Sequence, residues 1–392
     1  MIRPLVAEAE ELLSDAVVLR RALHEKPEIG LDLPSTQQAV LASLDGLGLD
    51  LHVGERVTSV VAVLEGALPG PTTLLRADMD ALPMTEDTGL EFASRTDGAM
   101  HACGHDAHVA MLVQAARMLS ERRNGLAGRV VFMFQPGEEG YAGARCMLEE
   151  GLIEKHGPID RAHALHITPL IPTGAVATRA GTFMASSDSF VVTITGRGGH
   201  ASTPQDALDP IPVACELVGA LQTMITRRVS VFDPAVLTVA SITSGTTSNV
   251  IPETAVIKGT VRAVSDLSRA IALEGLARVS EHVAAAHGCT AAITPMAVSY
   301  PVTVNSEPDA ERMFEVASSV FGEDRALRLP SPVMGAEDWS FVLQKVPGAM
   351  AFLGARPAGD GPVAPNHSNR MLIDEDAMST GIAMYVALAL SP

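Results

Sequence analysis

The sequence predicts an α/β protein in which a larger domain, built on a mixed β-sheet covered by helices, carries an inserted ferredoxin-like α+β domain. Helical and strand-like patterns alternate through the first part of the chain, and an apolar strand pattern at Arg129–Gln135 is typical of a strand buried inside a sheet. A β-α-β-β-α-β pattern then begins near Phe183. At 392 residues, the chain is also longer than one ordinary core supports. We therefore expect boundaries at 1–182, 183–298 and 299–392, with the first and third segments forming one domain.

Local patterns predict the elements of the first segment. In order, these are a helix to about Leu23, a helix from Ser35 to about Leu47, strands at Val57–Leu64 and Thr72–Arg76, a helix at Ala107–Ser120 and a strand at Arg129–Gln135. The hydroxyl of Ser35 can cap the second helix. The strand that ends near Arg76 leads into Asp78 and Asp80. Ligands of α/β sheets bind at the carboxyl ends of strands, so these carboxylates are candidate site residues.

The inserted segment has its own start and stop signals. Its predicted elements are a strand at Phe190–Thr195, a helix from Asp209 to about Arg228, strands at Ala235–Ile242 and Thr254–Val264, a helix from Asp266 to His287, and a strand at Thr290–Ser299. Asp209 and Pro210 form an N-cap and first-position pair, and Gly288 ends the second helix. The last segment returns to the α/β pattern and closes with a helix from about Asp374.

Charge and cysteine content exclude several classes of protein. Asp and Glu outnumber Lys and Arg by 46 to 28, which gives a formal net charge of −18, so we expect neither nucleic acid nor an anionic membrane as a partner. The N-terminus lacks the apolar run of a signal peptide, and no apolar segment reaches the roughly 20 residues of a membrane span. Four cysteines do not make a disulfide framework in so long a chain. We therefore expect a cytoplasmic protein in which Cys146, Cys215 and Cys289 are buried.

The segment Met100–His108 concentrates donor atoms for a metal. It contains Cys103, Asp106 and three of the protein's 12 histidines. The Cys-Gly-His spacing brings the thiolate of Cys103 and the imidazole of His105 within reach of one cation, and zinc prefers such donors. His108 falls inside the following helix, where a structural role is equally open.

Further candidate ligands lie far along the chain. Glu138 and Glu139 are adjacent after a strand, so one can bind metal while its neighbour reaches a water. His163 and His166 lie on opposite faces of an extended segment, and we expect one of them to ligate. His367, in a Pro-Asn-His turn, could be a ligand or a surface histidine. The remaining histidines are expected to be ordinary surface or capping residues: His24, His52, His156, His282 and His287. The set predicts a metal site assembled from scattered loops, and therefore an enzyme.

Five motifs in order carry a resemblance to a known family. They are Arg76–Pro83, Met100–His108, Gln135–Glu139, Gly198–Ser202 and Ala336–Phe341. Together they resemble the hippurate hydrolase and indole-acetyl-amino-acid hydrolase branch of the aminoacylase–carboxypeptidase metallopeptidases. The resemblance covers nearly the whole chain, and its motifs are specific to the family but poorly specific to the substrate.

The resemblance implies a catalytic domain with two divalent metal ions and an inserted lid domain that often dimerises. By position, Cys103 bridges the two ions, His105 and Glu139 bind one of them, and His166 and His367 bind the other. Zinc or manganese is expected, with cobalt or nickel as alternatives, because metal affinity and metal availability both decide occupancy.

The resemblance also assigns residues to the reaction. Glu138 is implied as the general base and Asp80 as a residue that orients a ligand. His200 resembles a histidine that reaches a neighbouring subunit's site and polarises the scissile carbonyl. Asn249 and Arg262 are candidates to hold the substrate carboxylate, although Arg262 could equally form a surface ion pair.

The implied activity is the metal-dependent hydrolysis of N-acyl (N-acetyl, N-benzoyl or similar) L-amino acids by a homodimer or higher homo-oligomer. Gln205 departs from the family, which often has a histidine there, and this difference bears on substrate fit. A dipeptidase or aminopeptidase with the same metals is an alternative, and it would need an acidic residue facing a free α-amine. A metal-binding protein without turnover is a more remote alternative.

Overall fold

The computed structural model describes residues 3–359 and 361–391, and the chain divides into two compact units. The first unit comprises Met1–Phe183, Val304–Ser331 and Asp338–Pro392. The second comprises Met184–Thr303 and Pro332–Glu337. The mixed α/β architecture with an inserted smaller domain is therefore the one that the sequence predicts.

Helices make up much of both units. In chain order they are α1 (Arg3–Glu11), α2 (Leu13–His24), α3 (Pro34–Leu44), α4 (His105–Glu121), α5 (Gly143–Glu149), α6 (Leu152–His156), α7 (Pro210–Arg228), α8 (Asp266–Ala286), α9 (Glu307–Phe321), α10 (Ser340–Leu343) and α11 (Ala377–Leu390). None of the helices in the described ranges is long and apolar enough to cross a membrane.

The strands are mostly short. In chain order they are β1 (Asp50–Val53), β2 (Val60–Glu65), β3 (Leu68–Asp78), β4 (Ala127–Gln135), β5 (Arg161–Thr168), β6 (Val176–Thr178), β7 (Gly181–Met184), β8 (Ser187–Thr195), β9 (Gly199–His200), β10 (Ala235–Ser244), β11 (Val250–Ile251), β12 (Thr254–Ala263), β13 (Thr290–Tyr300), β14 (Thr303–Asn305), β15 (Ala326–Arg328) and β16 (Gly348–Gly354).

The first unit is built on an eight-stranded mixed sheet in the order β1-β2-β4-β3-β5-β16-β6-β15. Strands β4, β3, β5 and β16 run parallel to one another, whereas β1 and β2 are antiparallel additions at one end. Strand β4 is buried from Val130 to Gln135, as its apolar pattern predicts. Because β3, β4 and β5 are adjacent and parallel, the residues that follow their carboxyl ends meet at one edge of the sheet.

The start of α3 differs from the sequence prediction. Ser35 lies inside the first turn rather than at the N-cap, which is Leu33. The backbone N–H groups of Ser35 and Thr36 at the helix start donate instead to the carboxylate of Glu28, at 3.1 and 2.8 Å. A carboxylate from the preceding turn therefore satisfies the helix end, and Pro34 occupies a first-turn position where no N–H is needed.

The second unit has the predicted β-α-β-β-α-β order. Its antiparallel sheet runs β10-β12-β8-β13, which is the ferredoxin-like arrangement, and α7 and α8 pack on it. Asp209 accepts a hydrogen bond from the N–H of Ile211 at 2.9 Å, which confirms the predicted N-cap of α7. Strand β13 continues to Tyr300, which pairs with Ser187. The insertion therefore extends past the expected boundary at residue 298.

The cysteines outside the Met100–His108 segment are not all buried. Cys289 is buried, but Cys146 is half-buried and Cys215 is exposed on α7. The expectation of burial was wrong for Cys215 because its neighbours in sequence pack inward while it occupies the solvent face of an amphipathic helix.

Candidate metal centre

The carboxyl ends of three parallel strands gather the candidate ligands. Strand β3 ends at Asp78, β4 ends just before the Glu138–Glu139 pair, and His166 lies near the end of β5. The turn before α4 supplies Cys103 and His105. This edge is where the sequence placed a site, and the structure brings these segments together there.

A glycine sets the geometry of the cysteine and histidine pair. Gly104 has a left-handed backbone with φ of 84°, which L side chains rarely adopt. A Cβ at this position would also lie 2.4 Å from Cγ2 of Ile167. Gly104 therefore allows the turn to approach β5 closely, and this approach brings Cys103 within reach of His166.

The donor atoms converge on the sulfur of Cys103. Its Sγ lies 3.4 Å from Nε2 of His166 and 3.3 Å from Nε2 of His367. Oε1 of Glu139 lies 3.1 Å from Nε2 of His367 and 4.0 Å from Nε2 of His105. All five metal ligands that the sequence predicts are thus within one cluster, including His367 from the far end of the chain.

The donors form two groups that share Cys103. Cys103, His105 and His166 have ligand atoms within 4.8 Å of one another, and so do Cys103, Glu139 and His367. The resemblance implied a different division, with His105 beside Glu139 and His166 beside His367. A third group, His105 with Glu138 and Glu139, puts His105 beside Glu139 as well, so the assignment of each ligand to one of two ions stays a prediction.

Backbone carbonyls orient two of the histidines. Nδ1 of His105 donates to the carbonyl of Asp80 at 2.9 Å, and Nδ1 of His166 donates to the carbonyl of Ile167 at 2.8 Å. Nε2 of each ring is therefore the free nitrogen, as metal ligation requires. Nε2 of His105 is buried and has no hydrogen-bond partner among the described residues. A cation at this nitrogen fits the donor set of one thiol, three imidazoles and a carboxylate.

Asp80 acts mainly on the backbone of the glutamate pair. Its two carboxylate oxygens accept the N–H groups of Glu138 and Glu139, each at 3.0 Å. Asp80 thus holds the turn that carries Glu139 through its carboxylate and contacts His105 through its own carbonyl. Glu138, held by the same turn, is 6% exposed.

The electrostatics of the cluster favour a bound cation. Burial lowers the pKa of His105, but Asp78, Asp80 and Glu139 outweigh it and raise that pKa to about 10. Burial, reinforced by Glu139 and Glu138, raises the pKa of the Cys103 thiol well above its usual value. The carboxylates thus create an excess of negative charge that positive charge must balance, whether as protons or as metal ions.

The sequence did not reveal the hydrogen bonds of His108 and Asp78 next to the donor cluster. Nδ1 of His108 donates to Asp78 at 2.5 Å, and Nε2 of His108 accepts the N–H of Ile167 at 2.8 Å. Asp78 in turn lies 2.7 Å from Nη1 of Arg76. Asp78 and His108 were visible in the motifs, but only the pairing of β3 with β5 shows that they join the two strands.

The structure corrects the predicted position of His24. It was expected at the surface, but it is 2% exposed and Nδ1 lies 2.7 Å from Asp106, the residue after His105. Arg20 also donates to Asp106, at 3.1 Å. The one-turn spacing of Arg20 and His24 on α2 places both beside the start of α4, a contact that the sequence alone does not reveal.

Two other histidines are buried away from the donors. His163 points to the face of β5 opposite His166, as alternation predicts, and neither of its ring nitrogens has a hydrogen-bond partner in the described part of the chain. His101 is buried and likewise unpaired within those ranges. His166, not His163, therefore belongs to the cluster.

His367 has an unusual backbone. Its φ of 69° is left-handed, and its N–H donates to the carbonyl of Ala102 at 2.7 Å. A non-glycine residue in this region is strained and persists where its surroundings hold it, most often at functional sites. The side chain is 56% exposed, and its Nε2 nevertheless lies close to Cys103 and Glu139.

The substrate residues predicted on the second unit lie at two distant places within it. His200 on β9 pairs with Val250 of β11, which puts it beside Asn249, and the side chain of His200 is exposed. Arg262 lies near the other end of β12, opposite Val236. The eight residue steps from Thr254 to Arg262 span roughly 25 Å along a strand. The structure therefore does not bring Asn249 and Arg262 together on one copy.

Comparison with known proteins agrees with this geometry. The chain matches the model of Peptidase family M20/M25/M40 over residues 74–391. It is 35% identical over 393 residues to thermostable carboxypeptidase 2 of Saccharolobus solfataricus, with 100% of this chain and 98% of that protein covered. It is 36% identical over 387 residues to IAA-amino acid hydrolase ILR1-like 2 of Arabidopsis thaliana, with 98% and 86% covered.

A solved structure extends the match to metal binding. The dinuclear metal binding peptidase of the M20 family from Bacillus subtilis has a TM-score of 0.82 and 31% identity to this chain, with 97% of this chain and 98% of that chain covered. The family match spans most of the sequence, and the relatives extend over its full length. The chain belongs to peptidase family M20/M25/M40, within the branch of aminoacylases and hippurate hydrolases, and is a metal-dependent amidohydrolase.

Proposed function

We propose that this amidohydrolase cleaves the amide bond of N-acyl L-amino acids and releases a carboxylic acid and a free amino acid. The carrying observation is the position of Glu138, which is buried and grouped with His105 and Glu139 but belongs to neither donor group of Cys103. A carboxylate beside the ligands can take a proton from water, and this supports Glu138 as the general base. The name of the Arabidopsis thaliana relative, an IAA-amino acid hydrolase, supports an acylated amino acid as the substrate class.

The five clustered donors would hold two divalent metal ions: Cys103, His105, Glu139, His166 and His367. Bound ions of this kind lower the pKa of water and polarise an amide carbonyl. Zinc or manganese is the proposed occupant, because thiolate and imidazole suit zinc while carboxylate accommodates manganese, and cobalt or nickel could also serve. The dinuclear metal binding peptidase of Bacillus subtilis supports the number of ions.

Glu138 moves the proton in this proposal. Its carboxylate takes a proton from the attacking water as the new C–O bond forms. It then delivers that proton to the amine nitrogen as the C–N bond breaks. Asp80 keeps Glu138 in place for both transfers because it holds the backbone of the same turn.

His200 is proposed to stabilise the oxyanion. Nδ1 of His200 accepts the N–H of Ser202 at 3.1 Å, so the proton of the neutral ring resides on Nε2, which can donate to a carbonyl oxygen. Asn249 beside it, and Arg262, are proposed to bind the substrate carboxylate. Because roughly 25 Å separates the ends of β12, both could contact one substrate only from different copies. This separation supports a homodimer, or a larger homo-oligomer, formed through the second unit.

The main alternative is a dipeptidase or aminopeptidase with the same metals. Such an enzyme needs an acidic side chain that faces a free α-amine, and Glu138 and Glu139 already have roles in the cluster. A metal-binding protein without turnover is the remote alternative, and the intact position of Glu138 argues against it. Placement in the cytoplasm stays a prediction.

A substrate panel tests the proposal. The protein, loaded with zinc or manganese, is assayed on N-acetyl and N-benzoyl amino acids and on Gly-Gly. We expect hydrolysis of the acylated substrates and little release from the dipeptide. Faster cleavage of Gly-Gly would replace the proposal with the dipeptidase, and no cleavage of any amide after metal loading would favour the binding protein.

A further inference from the structure

Asn366 contacts two of the segments that carry metal-ligand candidates. Its Nδ2 donates to the carbonyl of Cys103 at 3.2 Å and to the carbonyl of Ile167 at 3.1 Å. Asn366 itself immediately precedes His367 in the chain. One amide group therefore joins the backbone beside Cys103, the backbone beside His166 and the loop that carries His367.

The carbonyl of Ile167 is a shared acceptor. It receives the N–H of Asn366 and also the Nδ1–H of His166 at 2.8 Å. The bond that selects the tautomer of His166 therefore ends on the atom that Asn366 holds. Loss of the amide would remove one of the two donors to this carbonyl and so weaken the support of the His166 ring.

The same amide lies near the thiol. Nδ2 of Asn366 is 4.0 Å from Sγ of Cys103, so the amide group lies beside the thiol while its two hydrogens go to the two carbonyls. The left-handed backbone of His367, with φ of 69°, begins at the next residue. Asn366 and the bond from His367 N–H to the carbonyl of Ala102 together hold this strained residue in place.

We propose that Asn366 is a positioning residue that fixes the relative placement of Cys103, His166 and His367 through its bonds to the two carbonyls. This inference rests on the proposed function, because it takes those three residues to be metal ligands. It predicts that Asn366 controls metal affinity and the cysteine–metal bond without being a ligand itself.

Cobalt-substituted full-length protein provides the test. Thiolate bound to Co²⁺ gives a near-ultraviolet charge-transfer band, and Zn²⁺ affinity is measured by competition with a chelator. We expect Asn366→Ala to weaken Zn²⁺ affinity by about 10- to 100-fold, the range typical of groups that orient ligands. We also expect the variant to shift or weaken the charge-transfer band. The metal-free variant should still unfold cooperatively, which would show that the loss of affinity is not a loss of the fold.

Asn366→Asp separates the effect of hydrogen-bond donation from the effect of side-chain size. The aspartate has nearly the same size but cannot donate, and its charge would face two carbonyls and the sulfur. We expect its Zn²⁺ affinity to fall at least as far as that of Asn366→Ala, and it provides the same readout if the alanine variant does not fold.

Asn369→Ala is the matched control, since Asn369 lies in the same loop and its side chain is exposed. It should keep the wild-type affinity and band. If both Asn366 variants bind Zn²⁺ within about twofold of wild type and keep the band, the inference is wrong although the proposed function stands. If the wild type itself shows no thiolate band, Cys103 is not a ligand, and the metal assignment of the proposed function fails with it.

Discussion

The sulfur of Cys103 lies 3.3 Å from Nε2 of His367, a residue 264 positions later in the chain. Cys103 is common to both donor groups, whereas His367 belongs to one of them. The thiol of Cys103 is therefore the one donor on which both groups depend.

Removal of the Cys103 thiol should abolish metal binding by the cluster. We expect Cys103→Ala to retain little of either metal after reconstitution and dialysis, because each donor group loses its shared atom. Metal content is measured by mass spectrometry of the folded protein. Cys215→Ala, a change at an exposed cysteine, should bind metal like the wild type. Full metal content in Cys103→Ala would show that the remaining four donors suffice.

Asp80→Asn tests the support of the glutamate turn. The carboxylate accepts two backbone N–H groups, at Glu138 and Glu139, whereas an asparagine offers one oxygen and turns an NH2 group towards the second N–H. We expect turnover to fall by about 10- to 100-fold with most of the metal retained. Asp97→Asn, at an exposed position, should leave turnover unchanged. An Asp80→Asn enzyme with wild-type kcat would remove Asp80 from the mechanism.

His24 should make stability decrease in mild base. Burial opposes its charge, but Asp106 and Glu86 outweigh burial and raise the pKa of His24 to about 9 from 6.5. The protonated ring stabilises the fold below pH 6.5, and this contribution disappears as pH rises through 9. Relative to His24→Gln, metal-free wild type should lose about 3 kcal/mol of unfolding free energy over that window. The measurement is urea unfolding from pH 6 to 10, and parallel curves for the two proteins would contradict the assignment.

His163 should make the folded protein less stable as the pH falls. Burial, with Arg161 and Arg312, lowers the pKa of His163 to about 3. The unfolded chain takes up a proton at this residue below pH 6.5, whereas the folded chain takes it up only near pH 3, so stability falls as pH falls through that range. His163→Leu should gain up to about 1.4 kcal/mol per pH unit over metal-free wild type below pH 6. His282→Leu, at an exposed position, should not gain this stability. An unchanged midpoint pH of acid unfolding in His163→Leu would refute the prediction.

The sequence predicts the candidate metal ligands but not the residues that position them. Cys103, His105 and the Glu138–Glu139 pair are recognisable because each motif is local and its donors suit a metal. Asn366 and the carbonyl of Ile167 are not recognisable, because their role arises from contacts among segments far apart in sequence. The same reason explains the cap of α3 by Glu28.

Secondary-structure order was predictable in the second unit, where helix caps and alternation are strong. The pairing of β9 with β11, which puts His200 beside Asn249, was not predictable, because it joins short segments that are far apart in sequence.

Bound metal and turnover of Glu138→Ala, measured on the same sample, test the central claim most directly. Glu138 is proposed as the proton carrier and not as a ligand, so the variant should keep the wild-type metal content. Its hydrolysis of an N-acyl amino acid should fall by about 10²- to 10⁴-fold, which is the usual contribution of a general base. Wild-type turnover with full metal content would contradict the account.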